Sequence, residues 1–96
     1  ERIFQKLEKA QEQGREVAVY PRDLRDQFQF SARLVRPVVV LHDQQELKTW
    51  GNQHRDALFL LFLSDKWRTQ FLKEGGVLTE NYKHGALYLA DWDDLR

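Results

Sequence analysis

The chain has 96 residues, of which 42% are hydrophobic and 12% aromatic, which is enough apolar material for one folded core but too little for two. Its fifteen basic and fifteen acidic residues cancel, so the positive charge typical of nucleic-acid-binding proteins is absent and we expect no nucleic-acid partner. The lack of cysteine excludes disulfides, thiolate metal ligands and cysteine catalysis.

The first residues predict a helix and then a strand. Ile3, Leu7 and Ala10 recur at helical spacing, and Gly14 provides a typical helix end. Residues 16–20 (EVAVY) are rich in β-branched side chains, which favours a strand. Because the sequence starts within this helix and has no initiator methionine, we expect a domain excised from a longer protein.

The next predicted elements are a helix, a strand and a second helix. Leu24 and Phe28 indicate a helix that ends before Pro37, and residues 38–41 (VVVL) are apolar on both faces, as a central parallel strand should be. Asp43 opens the following helix, in which Trp50 covers the core.

The last third of the chain combines a buried strand, a short helix and a hairpin. Residues 57–63 (ALFLLFL) form the most hydrophobic segment, which predicts the centre of the sheet. This run is too short to span a membrane. In the helix after Ser64, three side chains are predicted to face the core: Trp67, Phe71 and Leu72. Residues 77–82 and 86–91 are two predicted strands, and the short turn between them has the length typical of a β-hairpin.

The predicted order of elements is therefore α-β-α-β-α-β-α-β-β. Alternating helices and strands of this kind favour right-handed crossovers and a parallel sheet. We expect residues 1–96 to form a single soluble α/β domain with three layers, a mostly parallel sheet of βα units, a Rossmann-like topology and a terminal antiparallel hairpin.

Acidic residues follow the three predicted parallel strands, at Asp23, Asp43 and Asp65. Ligands often bind beyond the carboxyl ends of such strands, so the pattern is also that of a metal or phosphotransfer site. However, Asp43 and Ser64 stand where helix N-caps are needed, and Asp65 falls in a first helical turn. We interpret these residues as capping residues and predict no metal, no cofactor and no catalytic residue.

The histidines give no catalytic motif. His42, His54 and His84 are far apart in the sequence, and none is followed by a second histidine at helical spacing. Ser64, His42 and Asp43 could form a triad at neighbouring strand ends, but no nucleophile elbow surrounds Ser64. A solvated or structural role is the favoured interpretation.

A basic pattern occurs between the first two strands. If residues 22–36 are helical throughout, one face carries Arg22, Arg25, Arg33 and Arg36. This arginine stripe is suited to phosphate groups of lipids or sugar phosphates. The alternative is a solvated face, because Asp23 and Asp26 dilute the positive charge.

Three segments resemble one membrane enzyme family. Residues 14–20 (GREVAVY) resemble its opening strand, and residues 28–40 (FQFSARLVRPVVV) resemble an aromatic helix leading into the next strand. Residues 46–63 and the hairpin through residues 85–89 are similar to the end of such chains. The family is that of bacterial polyprenyl-phosphate-dependent glycosyltransferases, related to aminoarabinose transferases and protein mannosyltransferases.

The resemblance implies a soluble domain on the extracytoplasmic, periplasmic face of the inner membrane. It would be a non-catalytic accessory to an enzyme that transfers a sugar from a polyprenyl-phosphate donor to a cell-envelope acceptor. Its partners would be the membrane portion of its own parent chain, lipid-linked sugar phosphate and anionic headgroups.

Two other functions remain open. One is a cytoplasmic receiver-like or regulatory interaction domain without enzymatic activity. The other is a degenerate phosphoesterase or nuclease that uses Asp23, Asp43 and Asp65.

Overall fold

A computed structural model describes residues 2–20, 37–73, 77–82 and 85–95. Within these ranges the chain forms three α-helices, five β-strands and one 3₁₀ turn. In chain order they are α1 (Arg2–Glu12), β1 (Val17–Tyr20), β2 (Val39–Val40), α2 (Gln44–Gln53), β3 (Leu58–Leu63), α3 (Asp65–Phe71), β4 (Leu78–Tyr82), β5 (Gly85–Asp91) and the 3₁₀ turn Trp92–Asp94. The helix predicted around Leu24 and Phe28 lies outside the described residues.

The five strands form one mixed sheet in the order β2-β1-β3-β5-β4. β1 pairs in parallel with β2 and with β3, whereas β5 pairs antiparallel with both β3 and β4. The prediction of a small α/β domain with a terminal hairpin is thus confirmed, but the sheet is not mostly parallel. The reason is that β5 inserts beside β3 over six residue pairs, so the hairpin supplies half of the strand pairings.

The central position of β3 is confirmed, and that predicted for β2 is wrong. Among the described strands β2 lies at the edge, paired only through Val39 and Val40. Leu41 extends the contact, because its N–H donates to the Val19 carbonyl at 2.9 Å. Val39 and Val40 are half-buried, each packed against one of the two cores, so hydrophobicity on both faces did not distinguish this edge strand from a central one.

Alternate residues of the strands point into two separate cores. Leu58 and Leu60 of β3 pack on the face covered by α1, together with Leu7. Phe59 and Leu61 point to the opposite face, which α2 and α3 cover. All five of these side chains are buried. The two-residue period of a strand therefore explains why nearly every residue of β3 is apolar.

The end of α1 fixes the start of the sheet. Gly14 has a φ of 83°, which a residue without a Cβ adopts at little cost. The N–H of Gly14 donates to the Gln11 carbonyl at 3.0 Å and that of Arg15 to the Ala10 carbonyl at 2.9 Å. This is the Schellman arrangement, and it confirms Gly14 as the helix end.

Candidate functional site

The residues after β2 have a structural role. Asp43 Oδ1 accepts a hydrogen bond from the Glu46 N–H at 2.8 Å, which confirms Asp43 as the N-cap of α2. In return, Glu46 Oε1 accepts from the His42 N–H at 2.8 Å, one residue before the cap. The reciprocal pair thus satisfies two backbone donors at the start of the helix.

The three residues of the conceivable triad do not assemble. His42 Nδ1 lies 3.0 Å from Glu46 Oε1, and both side chains are exposed. Ser64 is the N-cap of α3, but its side chain makes no capping hydrogen bond. Asp65 occupies the first turn of α3, as predicted. The His42 imidazole is therefore directed at Glu46 rather than at a serine nucleophile.

Some of the other candidate residues lie within the described ranges and some lie outside them. Over the ranges that the structure describes, no group of three or more His, Asp or Glu side chains could hold a metal ion. Four residues of the predicted arginine stripe lie outside those ranges, as do two further candidates: Arg22, Arg25, Arg33, Arg36, Asp23 and His84. No described helix is both long enough and apolar enough to cross a bilayer.

An aromatic surface forms where β1 and β3 end. Tyr20 stacks on Phe71 with ring centroids 5.4 Å apart, and Trp67 meets Phe71 edge-on at 6.0 Å. Lys66 Nζ lies 5.7 Å from the centroid of the Trp67 ring. We call these four residues and Arg68, which approaches Tyr88, the Trp67 surface.

The prediction that Trp67 belongs to the core is wrong, because 44% of the residue is exposed. Phe71 and Leu72 are buried, as predicted. α3 has only seven residues, and it packs on the sheet through Phe71 in its last turn. Trp67 lies one turn earlier, where its ring is nearly perpendicular to that of Phe71 and remains partly open to solvent.

The ionisation of Tyr20 depends on its surroundings. Burial, and secondarily the negative charge of Asp43, raises the pKa of the Tyr20 hydroxyl. Both causes disfavour the phenolate. The raised pKa extends the pH range over which the hydroxyl stays neutral beside the aromatic rings.

A cleft lies between α2 and the 3₁₀ turn. The cleft has a volume of about 130 Å³. Leu47, Phe71 and Leu95 form its apolar floor, and Trp92 forms a wall. We call it the Trp92 cleft. Its residues come from three distant parts of the chain, so the cleft as a whole could not be predicted from one local motif.

Comparisons of the chain with protein-family models, curated proteins and solved structures gave no significant match.

Proposed function

We propose that the chain is a non-catalytic accessory domain of a polyprenyl-phosphate-dependent membrane glycosyltransferase. It would lie on the extracytoplasmic side of the inner membrane, against the membrane portion of its parent, while sugar transfer to the cell-envelope acceptor takes place elsewhere in that parent. The resemblance of the sequence supplies the enzyme family. The observation that carries the proposal is the exposed Trp67 between Lys66 and Arg68.

The composition of the Trp67 surface suits a membrane interface. Tryptophan is enriched at the headgroup level, because its ring is apolar and its N–H is polar. Lys66 and Arg68 on either side add cations for phosphate groups. Since Trp67 rests on the buried Phe71, the indole is held by the core rather than by a loose loop.

The predicted arginine stripe follows this surface directly in the sequence. Pro21 and Arg22 come immediately after Tyr20, which stacks on Phe71 in the Trp67 surface. A basic segment that starts there would add to the charge of Lys66 and Arg68. Its contact with anionic headgroups or with lipid-linked sugar phosphate is part of the proposal.

The acidic side chains at this end of the domain support a binding role rather than catalysis. Asp43 is committed to capping α2, and its negative charge acts on Tyr20. Paired acid and base groups with pKa values pushed apart are the usual sign of hydrolytic sites. Several described carboxylates instead serve helix ends or an ion pair, among them Asp43, Glu46 and Asp91.

Co-sedimentation with lipid vesicles tests the membrane contact. The chain is expected to sediment with phosphatidylglycerol vesicles at low salt and much less with phosphatidylcholine vesicles. Lys66→Gln removes one cation, worth about 1 kcal/mol and thus about fivefold in affinity near an anionic surface. Trp67→Gln should weaken binding at least as much, whereas Thr69→Gln on the same helix should not. Equal sedimentation of all four proteins would contradict the proposal.

A second candidate is the receiver-like regulatory domain, and the strand order favours it. The parallel half of the sheet runs β2-β1-β3, the order with which flavodoxin-like and receiver-like sheets begin. This second proposal therefore includes a Rossmann-like arrangement of the three parallel strands. A regulatory domain of this kind would fractionate with the cytosol and would show no preference between the two vesicle types.

A further inference from the structure

We propose that the Trp92 cleft binds a small planar ring compound that carries one carboxylate. This site shares only Phe71 with the Trp67 surface and does not depend on the membrane function proposed above. It is inferred from three features of the cleft: a fixed aromatic wall, an excess of positive charge at the rim, and a matching volume.

The wall is held in place by a glycine. Trp92 lies against Gly51 so closely that a Cβ at position 51 would come within 2.5 Å of the indole ring. The Phe59 ring supports Trp92 from the core, with centroids 6.4 Å apart. The indole is thus packed on Gly51 and Phe59 and lines the cleft, with the Arg55 guanidinium 6.0 Å from its ring centroid, so the site is shaped before a ligand arrives.

The charge at the rim selects the ligand. Lys48 and Lys73 both line the cleft and are exposed, and Asp93 is the acidic residue among the lining side chains that the structure describes. Two ammonium groups against one carboxylate leave an excess of positive charge above an apolar floor. An apolar group bearing one negative charge fits this arrangement better than a neutral or cationic one.

The volume limits the size of the ligand. At about 130 Å³, the cleft is slightly smaller than the cavity of about 150 Å³ that is known to hold benzene in another protein. One six-membered ring therefore fits beside Trp92, with its carboxylate directed outward to the lysines. A fused ring system or a long acyl chain would not be contained.

The probe for this site is benzoate, with benzyl alcohol as the neutral analogue and benzylamine as the cationic one. The chain has three tryptophans, so a ¹⁵N–¹H spectrum separates their indole N–H signals, and Trp92→Phe assigns the relevant one. Benzoate should shift the Trp92 signal in a saturable way and leave that of Trp67 unchanged. Benzyl alcohol should bind at least fivefold more weakly, and benzylamine should not bind.

A double lysine variant, a glycine variant and a control variant distinguish binding in the cleft from nonspecific binding of the ligand elsewhere. Lys48→Met together with Lys73→Met should weaken benzoate binding at least tenfold, and the matched change Lys66→Met outside the cleft should leave it unchanged. Gly51→Ala should displace the Trp92 ring and weaken benzoate and benzyl alcohol alike. An unmoved Trp92 signal, or benzoate binding that survives the double lysine change, would overturn the proposal.

Discussion

Single polar residues secure the ends of the helices, and their effects differ in ways that the hydrogen bonds explain. Asp43 and Ser64 hold the same N-cap position on α2 and α3. Only Asp43 directs a side-chain oxygen at a backbone N–H of its helix. Sequence pattern predicted both caps, since residue type and position are local signals. It could not predict which side chain makes the bond.

Asp43→Ala should therefore lower the free energy of unfolding by about 1 kcal/mol, the usual worth of an N-cap. Ser64→Ala is the matched control, and it should cost only a small part of that amount. Urea denaturation followed by far-ultraviolet circular dichroism measures both. Equal losses in the two variants would contradict the assignment of the cap bond to Asp43.

Tyr20 couples stability to alkaline pH. Its pKa is raised in the folded state by burial and by Asp43, so the unfolded chain releases the phenolic proton first. Above about pH 10, the usual tyrosine pKa, the unfolded state therefore binds fewer protons and the contribution of this group to stability falls as pH rises. Tyr20→Phe removes that dependence. Urea denaturation at neutral and alkaline pH should show wild type losing more stability than the variant, and parallel losses would contradict it.

At the scale of the elements, Arg15 connects a helix to two strands. It is the last residue of the Schellman arrangement at the end of α1. Its Nε donates to the Asp56 carbonyl at 2.7 Å, and its Nη2 pairs with Asp91 Oδ1 at 2.7 Å and donates to the Ala57 carbonyl at 3.3 Å. One guanidinium thus links the end of α1 to the entrance of β3 and to the end of β5. A planar group with several donors suits this task better than an ammonium.

Arg15→Met should cost about 1–2 kcal/mol, since it removes charge-assisted hydrogen bonds to two carbonyls as well as the ion pair. Asp91→Asn removes only the charge of the partner, and an exposed pair is worth at most about 1 kcal/mol. A double-mutant cycle in urea separates these effects. A coupling between Arg15 and Asp91 as large as the whole Arg15→Met loss would show that the carbonyl bonds contribute nothing.

At the scale of the whole molecule, the sequence predicted which segments form helices and strands better than it predicted which strands pair with each other. The apolar run of β3 predicted a strand buried on both faces. The turn after β4 predicted the hairpin, but nothing local said that β5 rather than β4 would pair with β3. That choice depends on contacts between distant residues. It converts a mostly parallel sheet into a mixed one.

The candidate surfaces were less predictable for the same reason. Helical spacing placed Trp67 on an apolar face, but the shortness of α3 left the indole exposed. The Trp92 cleft joins residues of α2 to residues more than forty positions later. Gly51 within α2 was the one local sign, since a glycine inside a helical pattern often marks close packing.

The arginine stripe extends the membrane proposal to residues that the sequence alone suggests. Changing Arg22, Arg25, Arg33 and Arg36 to Gln should reduce sedimentation with phosphatidylglycerol vesicles, by about 1 kcal/mol for each arginine that reaches the surface. The difference should shrink as salt screens the charges. If the quadruple variant sediments like wild type, these arginines only form a solvated face.

The most direct test of the proposed function is the location of this domain in the cell. Alkaline phosphatase, which is active only outside the cytoplasm, is fused after the domain at the native locus, and membrane and cytosolic fractions are assayed. An accessory domain of a membrane glycosyltransferase predicts an active reporter in the membrane fraction. An inactive reporter in the cytosolic fraction would contradict the proposal and favour the regulatory alternative.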